Sequence, residues 1–230
     1  MDGINTLAFS GWAQPHDALQ SLLPHAQFVD YAPYSSVYAI KEILPQLDVD
    51  LVVGWSLGGI IARQLIQRGV LQAKALVMIA APYQYVRDET VQDAMPQETF
   101  EQFYANYRDD TQRTIKRFHG LLVKGDSRMR DILGALGHHP SVEQVERWLL
   151  WMDFLQRYSA EHEDYSMLPP TLLIHGKQDV VVPYAQSEMM HQKLSQSQLM
   201  GLEDAAHVPH LHDTKRVKDA IAAFYQEVAQ

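Results

Sequence analysis

Apolar and polar residues alternate along both ends of the chain in the manner of strands and helices. Six short stretches rich in apolar residues have the length of buried strands. They cover residues 6–9, 26–30, 51–53, 75–80, 171–175 and 198–201. Between them, apolar residues recur every three or four positions, which predicts helices. These helices lie near 18–23, 38–47, 59–68, 185–194 and 215–228. Strands that alternate with helices predict an α/β fold with a mostly parallel sheet and right-handed crossovers.

The pattern changes in the middle of the chain. From Tyr83 to Tyr165 the strand pattern stops, and aromatic and charged residues recur at helical spacing. We therefore predict a core made of residues 1–82 and 166–230, interrupted by a helical cap over residues 83–165. The cap has the length for three or four helices.

A serine lies where one predicted strand turns into a helix. The apolar run 51–53 leads into Gly54-Trp55-Ser56-Leu57-Gly58, and an amphipathic stretch follows. A G-x-S-x-G motif between a strand and a helix is typical of a nucleophile elbow, whose glycines let the backbone pass close to the serine. The alternative is a chance motif in an ordinary turn. The flanking strand and helix favour Ser56 as a nucleophile.

A serine nucleophile needs a histidine base and an acid that orients it. In elbow folds these follow the serine in the order acid, then histidine. Asp179 comes just after the strand 171–175, where a parallel sheet presents functional groups. His207 follows the last predicted strand. We predict Asp179 as the acid and His207 as the base.

Other residues near His207 offer alternatives. Glu203 or Asp204 would serve as the acid only by departing from the usual chain order. His207, His210 and His212 have a spacing that a metal site can use, but no supporting ligand cluster accompanies them. We therefore expect no metal and no organic cofactor.

An acyl-transfer site also needs two backbone N–H groups directed at the developing oxyanion. The residue after the nucleophile, Leu57, supplies one in elbow enzymes. The loop after the first strand supplies the other, and we choose Trp12 in Ser10-Gly11-Trp12-Ala13. Its indole is also expected to wall the pocket.

Composition narrows the class of protein. The 230 residues include 47% hydrophobic residues and no cysteine, which excludes disulfides and thiol catalysis. The formal charge of −9 argues against broad nucleic-acid binding. Neither a signal peptide nor an apolar run of membrane-spanning length is visible. We expect a cytoplasmic monomer that does not engage the membrane.

The motifs resemble those of the α/β-hydrolase superfamily along nearly the whole chain. More narrowly, the chain resembles the BioH-type pimeloyl-acyl-carrier-protein methyl ester carboxylesterases. The supporting stretches are Ser10-Gly11-Trp12, Gly54-Trp55-Ser56-Leu57-Gly58-Gly59, Gln112-Arg113-Thr114-Ile115-Lys116-Arg117-Phe118 and Ala205-Ala206-His207. This resemblance implies hydrolysis of the methyl ester on a pimeloyl chain carried by acyl-carrier protein, in biotin synthesis.

The resemblance also implies roles for cap residues. Arg113 and Arg117 match arginines that contact the acidic carrier, and Phe118 matches a residue beside the acyl channel. Arg128 and Arg130 are further candidate contacts. Between positions 108 and 130 there are seven Lys/Arg and three Asp/Glu, a net of +4, which suits docking of an acidic partner. The alternative is a solvated helix face with i,i+4 ion pairs.

Two departures from the family pattern change the expected fold and loop. Ser10 stands where the family has a histidine before Gly11-Trp12. The chain begins almost at the strand that carries this loop, so we expect a smaller sheet of about six strands with an exposed edge to protect.

Three alternative functions are open to a protein with this fold. They are a general carboxylesterase, a carbon–carbon bond hydrolase and a non-catalytic binding protein.

Overall fold

Six parallel strands form the centre of the molecule. The computed structural model describes residues 3–34, 36–45, 47–136 and 142–230, and the side chains of residues 142 and 143 are not described. Residues 1, 2, 35 and 46 of the predicted core and 137–141 of the predicted cap thus lie outside the described residues. The strands are β1 (Thr6–Phe9), β2 (Gln27–Phe28), β3 (Asp48–Trp55), β4 (Gln72–Ile79), β5 (Thr171–Gly176) and β6 (Ser197–Leu202). Their order is β2-β1-β3-β4-β5-β6, and all five pairings are parallel.

Helices connect the strands of the sheet. In chain order they are α1 (Asp17–Gln20), a 3₁₀ turn (Ala39–Ile43), α2 (Leu57–Gln67), α3 (Gln97–Asp109), α4 (Thr111–Leu122), α5 (Met129–Ala135), α6 (Val142–Arg157), α7 (Ala185–Lys193), α8 (Pro209–His212) and α9 (Thr214–Val228). No helix in these ranges combines the length and the apolar character needed to cross a bilayer.

The core lies where the central strands meet α2. Every residue of β5 is buried, as are the last five of both β3 and β4. Strands covered on both faces carry continuous apolar runs, which is why the sequence shows no alternation there. In α2, all residues from Leu57 to Ile66 are buried, so the helix after the elbow lies inside the molecule.

Helices α3 to α6 lie between β4 and β5 in the chain. Their apolar faces pack inward: Phe100 and Tyr107 of α3 are buried, as are Ile115 and Phe118 of α4. The predicted α/β fold with a parallel sheet of six strands is therefore confirmed, and α3 to α6, hereafter the cap, are inserted between β4 and β5.

Local structure departs from the sequence expectations at the first edge of the sheet. The helix expected at 38–47 is only the 3₁₀ turn, because Leu44 adopts extended backbone before Pro45. The edge strand β2 has two residues rather than five. A short edge strand offers few unpaired backbone groups, and the ring of His16 lies 5.2 Å from that of Phe28. The exposed edge is thus limited by its length.

Candidate active site

The turn between β3 and α2 holds Ser56 in a strained conformation. Its φ of 54° and ψ of −123° lie outside the regions open to most residues. Its backbone N–H donates to the carbonyl of Ile79 at 2.8 Å, which ties the turn to β4. A Cβ added to Gly58 would lie 2.2 Å from the carbonyl oxygen of Phe9. The turn, residues 54–58 and hereafter the elbow, is possible only because the backbones can approach this closely.

Three predicted residues come together at the elbow. The Oγ of Ser56 lies 3.0 Å from Nε2 of His207, and Nδ1 of His207 lies 2.6 Å from Oδ2 of Asp179. A carboxylate only accepts hydrogen bonds, so Nδ1 donates to Asp179 and Nε2 accepts the hydroxyl proton of Ser56. The carboxyl ends of β3, β5 and β6 deliver the three side chains to one edge of the sheet.

Four donors surround the carboxylate of Asp179. The backbone N–H groups of Val181 and Val182 donate to Oδ1 at 2.8 and 2.9 Å. His175 and His207 donate to Oδ2 at 3.0 and 2.6 Å. Burial by itself raises the pKa of this carboxyl. The charge of His207 and the hydrogen bonds from both histidines outweigh burial and hold the pKa of Asp179 well below its usual value. The acid is therefore ionised at neutral pH.

His175 is a second histidine on the same carboxylate, and it is not among the site residues predicted from the sequence. Its Nε2 faces two acceptors, Asp179 Oδ2 at 3.0 Å and the carbonyl of Val182 at 2.8 Å, so Nε2 carries the proton. Its Nδ1 then accepts from the hydroxyl of Ser187 at 2.6 Å. The available signal was its position at the end of β5, four residues before Asp179.

The loop after β1 passes directly beside Ser56. A Cβ added to Gly11 would lie 3.4 Å from the Cβ of Ser56, so the peptide that leads to Trp12 borders Ser56. Ser10 accepts at its carbonyl from the hydroxyl of Tyr31 at 2.6 Å. The indole N–H of Trp12 donates to the carbonyl of Trp148 in the cap at 2.9 Å. Tyr31 and Trp148 therefore brace this loop.

Aromatic rings of the cap enclose Trp12. Four rings meet its indole edge-on with centroids 5.1–6.3 Å away, a favourable geometry for aromatic pairs. They belong to Phe103, Tyr107, Phe118 and Trp148. Only 4% of Trp12 and 5% of Phe118 are exposed, so this aromatic cluster is buried.

The basic residues of the segment 108–130 lie on the surface of the cap. All seven are exposed. Arg113 and Arg117 lie on α4, and Arg117 lines a groove together with Phe103 and Phe118. Arg128 is partly engaged, because its guanidinium donates to the carbonyl of His212 and lies 3.9 Å from Asp131. Arg130 lies in the first turn of α5.

The segment 203–212 is hereafter called the histidine loop. It carries the alternative acid and metal-ligand residues named from the sequence, and the side chains of Glu203, His210 and His212 contact different partners. Glu203 is an exposed partner of Lys177, at 2.5 Å, and does not reach His207. The ring of His210 packs edge-on against Trp55 at 4.8 Å, and burial together with the charge of His207 lowers the pKa of His210 to about 3. Nδ1 of His212 forms a hydrogen bond with Oδ1 of Asp126, so it does not face His207 or His210. In the described part of the chain, no three potential ligands gather as a metal site would require.

The fold and this site define the class of protein. The family model for the alpha/beta hydrolase fold matches residues 20–214, so the chain belongs to the α/β-hydrolase family. Among curated proteins, it is 27% identical over 203 residues to the pimeloyl-[acyl-carrier protein] methyl ester esterase of Neisseria meningitidis strain MC58, covering 86% of this chain and 76% of that one. The resemblance stated from the motifs is thereby confirmed.

Some relatives are considerably longer than this chain. It is 26% identical over 228 residues to the biotin biosynthesis bifunctional protein BioHC of Cellvibrio japonicus. That alignment covers 95% of this chain but 45% of the relative. In the corresponding protein of Teredinibacter turnerae the chain spans 33% of the length.

Solved structures support the fold. An esterase from Exiguobacterium antarcticum superposes with a TM-score of 0.79 at 15% identity, covering 96% of this chain and 92% of that one. A bromoperoxidase from Bacillus anthracis gives a TM-score of 0.78 at 16% identity, with the same coverage.

Proposed function

We propose that the protein is a serine carboxylesterase that cleaves the methyl ester of a pimeloyl chain borne on acyl-carrier protein, a step of biotin synthesis. The observation that carries the enzyme class is the hydrogen-bonded line from Ser56 through His207 to Asp179, with contacts of 3.0 and 2.6 Å. The Ser56 hydroxyl donates to His207, and His207 donates to Asp179, which is the arrangement that acyl transfer needs.

The proposed first step forms an acyl-enzyme. His207, oriented by Asp179, takes the hydroxyl proton as Ser56 attacks the ester carbonyl. The backbone N–H groups of Leu57 and Trp12 stabilise the oxyanion. The tetrahedral intermediate collapses, and His207 returns the proton to the departing methoxide, which leaves as methanol. Because the loop at Gly11 borders Ser56, Trp12 is suitably placed for its donor role.

The proposed second step releases the acid. His207 takes a proton from water, and the hydroxide attacks the acyl carbonyl with the same two N–H groups holding the oxyanion. Collapse of this intermediate breaks the bond to Ser56, whose oxygen recovers its proton from His207. The free carboxylic acid and the original enzyme result. These steps need no metal or organic cofactor.

Three observations favour a long acyl substrate on a carrier. Phe103 and Phe118, which pack against Trp12, also line a groove whose apolar rings suit an acyl chain. The exposed basic residues of segment 108–130 face solvent on a protein whose net charge is −9, which suits an acidic partner. The relative from Neisseria meningitidis carries the name of this activity.

The enzyme class is tested by covalent labelling and by turnover. An organophosphonate should label the wild type at Ser56 and block hydrolysis of p-nitrophenyl butyrate. Ser56→Ala should lose both labelling and turnover while keeping the circular dichroism spectrum and melting temperature of the wild type. Turnover retained by a folded Ser56→Ala protein would reject the enzyme assignment. A folded wild type that neither labels nor hydrolyses esters would instead favour a binding protein.

The substrate is tested by comparing carrier-bound and free esters. Arg113→Glu with Arg117→Glu should lower kcat/KM on methyl pimeloyl-carrier protein by about tenfold or more, since surface charges mainly affect association. Turnover of a p-nitrophenyl ester should stay within about twofold. The matched control, Lys41→Glu with Arg216→Glu, makes the same change of charge at exposed positions outside the cap. It should leave both rates unchanged.

Two results would redirect the substrate assignment. Equal losses on both substrates in the Arg113 and Arg117 variant would remove the docking role. A wild type that prefers free short esters would favour the general carboxylesterase, and cleavage of a carbon–carbon bond beside a ketone would favour the other alternative.

A further inference from the structure

The end of α4 and the turn after it hold the histidine loop through two backbone hydrogen bonds. The N–H of His207 donates to the carbonyl of Leu122 at 3.0 Å. The N–H of Ser127 donates to the carbonyl of Asp204, also at 3.0 Å. The cap and the loop that carries the catalytic base therefore form one connected structure.

Asp126 lies at the centre of this connection, and its side chain has no exposed surface. Its Oδ2 accepts from the backbone N–H of Ala206 at 3.0 Å. Its Oδ1 accepts from Nδ1 of His212 and from the backbone N–H of Arg128, both at 2.8 Å. The carboxylate thus bonds to the backbone N–H of the residue before His207, to the end of the histidine loop and to its own turn.

We propose that Asp126 is a positioning residue for the catalytic base: its buried carboxylate, on the cap, fixes the backbone N–H of Ala206, the residue before His207, and so sets the distance from His207 to Ser56. The inference rests on the proposed role of His207. Hydrogen bonds to a charged acceptor are stronger than neutral ones, so a carboxylate is a firm anchor for a backbone N–H. Small displacements of a catalytic group lower turnover steeply.

The conservative variant Asp126→Asn tests this anchor with almost no change of volume. An amide has one acceptor oxygen and one NH₂ group. If the oxygen faces Arg128 and His212, the NH₂ faces the N–H of Ala206. If the amide is rotated, the NH₂ faces the N–H of Arg128. Either orientation sets two donors against each other, so the variant strains one of the two peptides.

The experiment measures turnover for each competent site. A fluorescent organophosphonate titrates the sites, and kcat and KM for p-nitrophenyl butyrate are then determined on the titrated protein. We expect Asp126→Asn to lower kcat per titrated site by about tenfold or more, with KM within about twofold. Asp131→Asn is the matched control, because it removes a nearby carboxylate of the cap. The side chain of Asp131 is 74% exposed. This variant should match the wild type.

A purely structural role would give a different result. It would lower the number of titrated sites or the melting temperature and leave kcat per site unchanged, which would overturn the proposal. Where Asp126→Asn yields no folded protein, His212→Phe serves instead, since it keeps Asp126 but removes the side-chain donor that holds its carboxylate in place against Ala206. We expect its kcat per site to fall about two- to fivefold, and an unchanged value would overturn the proposal. A wild type without turnover would overturn the proposed function and this inference together.

Discussion

In the proposed mechanism the elbow and the histidine loop supply the two reacting groups, and different parts of the chain hold them in place. The elbow is held by its neighbours in sequence and by adjacent strands, since Ser56 bonds to Ile79 of β4 and Gly58 packs on the end of β1. The histidine loop is held by the cap, more than 75 residues earlier, through Leu122 and Asp126. The two regions meet where the indole N–H of Trp55 donates to the carbonyl of His207 at 3.0 Å.

This difference teaches how a cap takes part in chemistry without contributing a reacting group. The nucleophile is positioned by a motif that the fold requires anyway. His207 also bonds to Trp55 and Asp179 of the core, but two further anchors of its loop exist only when α4 is seated, because they lie at the end of α4 and in the turn that follows. A change in the cap is therefore expected to alter the base before it alters the nucleophile.

The largest expected effect comes from Asp179, which joins the histidine loop to β5. Asp179→Asn should lower kcat by about 10³- to 10⁴-fold, because an amide donor opposite Nδ1 favours the wrong tautomer of His207. Steady-state kinetics on p-nitrophenyl butyrate measure this. The control Glu203→Gln changes the competing acid, which is 73% exposed, and should stay within about twofold of the wild type. A larger loss in the control than in Asp179→Asn would reassign the acid.

The next largest effect is expected from a substitution in the elbow. In Gly58→Ala the new Cβ would lie 2.2 and 2.5 Å from the carbonyl oxygens of Phe9 and Ser10, which are backbone atoms and cannot turn away. We expect the free energy of unfolding to fall by about 3 kcal/mol or more, measured by urea denaturation.

The control for this change is another helical glycine. A Cβ on Gly120 in α4 meets no atom within 4 Å, so Gly120→Ala should gain about 0.5–1 kcal/mol from helix propensity. Equal effects at the two positions would contradict the close packing at the elbow.

The same contrast explains what the sequence predicts and what it does not. The strand, turn and helix around Ser56 were predicted because glycines, apolar runs and chain order are local signals, and the α/β class follows from them. Asp126 and His175 were not predicted, since their partners lie 80 and 12 residues away in the chain. At 39–43 the apolar spacing is helical over one turn, so the sequence predicts an α-helix where the structure has the 3₁₀ turn.

A smaller effect is expected where the two regions pack together. His210 of the histidine loop lies against Trp55 of the elbow, and burial with the nearby charge of His207 lowers its pKa to about 3. In the unfolded chain a histidine titrates near 6.5. The unfolded state therefore binds one more proton between these values, so stability is full above about pH 6.5 and falls as the pH is lowered toward 3. The loss from this residue is about 1.4 kcal/mol per pH unit.

His210→Gln tests this dependence. Urea denaturation of the wild type at pH 7 and pH 5 should show a decrease that includes about 2 kcal/mol from His210. In the variant that part should disappear, which makes the difference between the two pH values smaller. A pH dependence identical in both proteins would show that His210 is not the group that titrates on unfolding.

The smallest effect is expected behind the acid, where two Ser–His pairs, each with one member on α7, can be compared. Ser187 donates to Nδ1 of His175 at 2.6 Å, and His175 donates to Asp179. Ser197 pairs with Nδ1 of His191 at 2.7 Å, away from the acid. Ser187→Ala removes the hydrogen bond to Nδ1 of His175, at a cost of about 1 kcal/mol. We expect up to about fivefold lower kcat/KM on p-nitrophenyl butyrate, since His175 is then held less firmly against the carboxylate that orients His207. Ser197→Ala should keep the wild-type rate. An unchanged kcat/KM in Ser187→Ala, with only thermal stability reduced, would limit the inner pair to the structural role that the outer pair has.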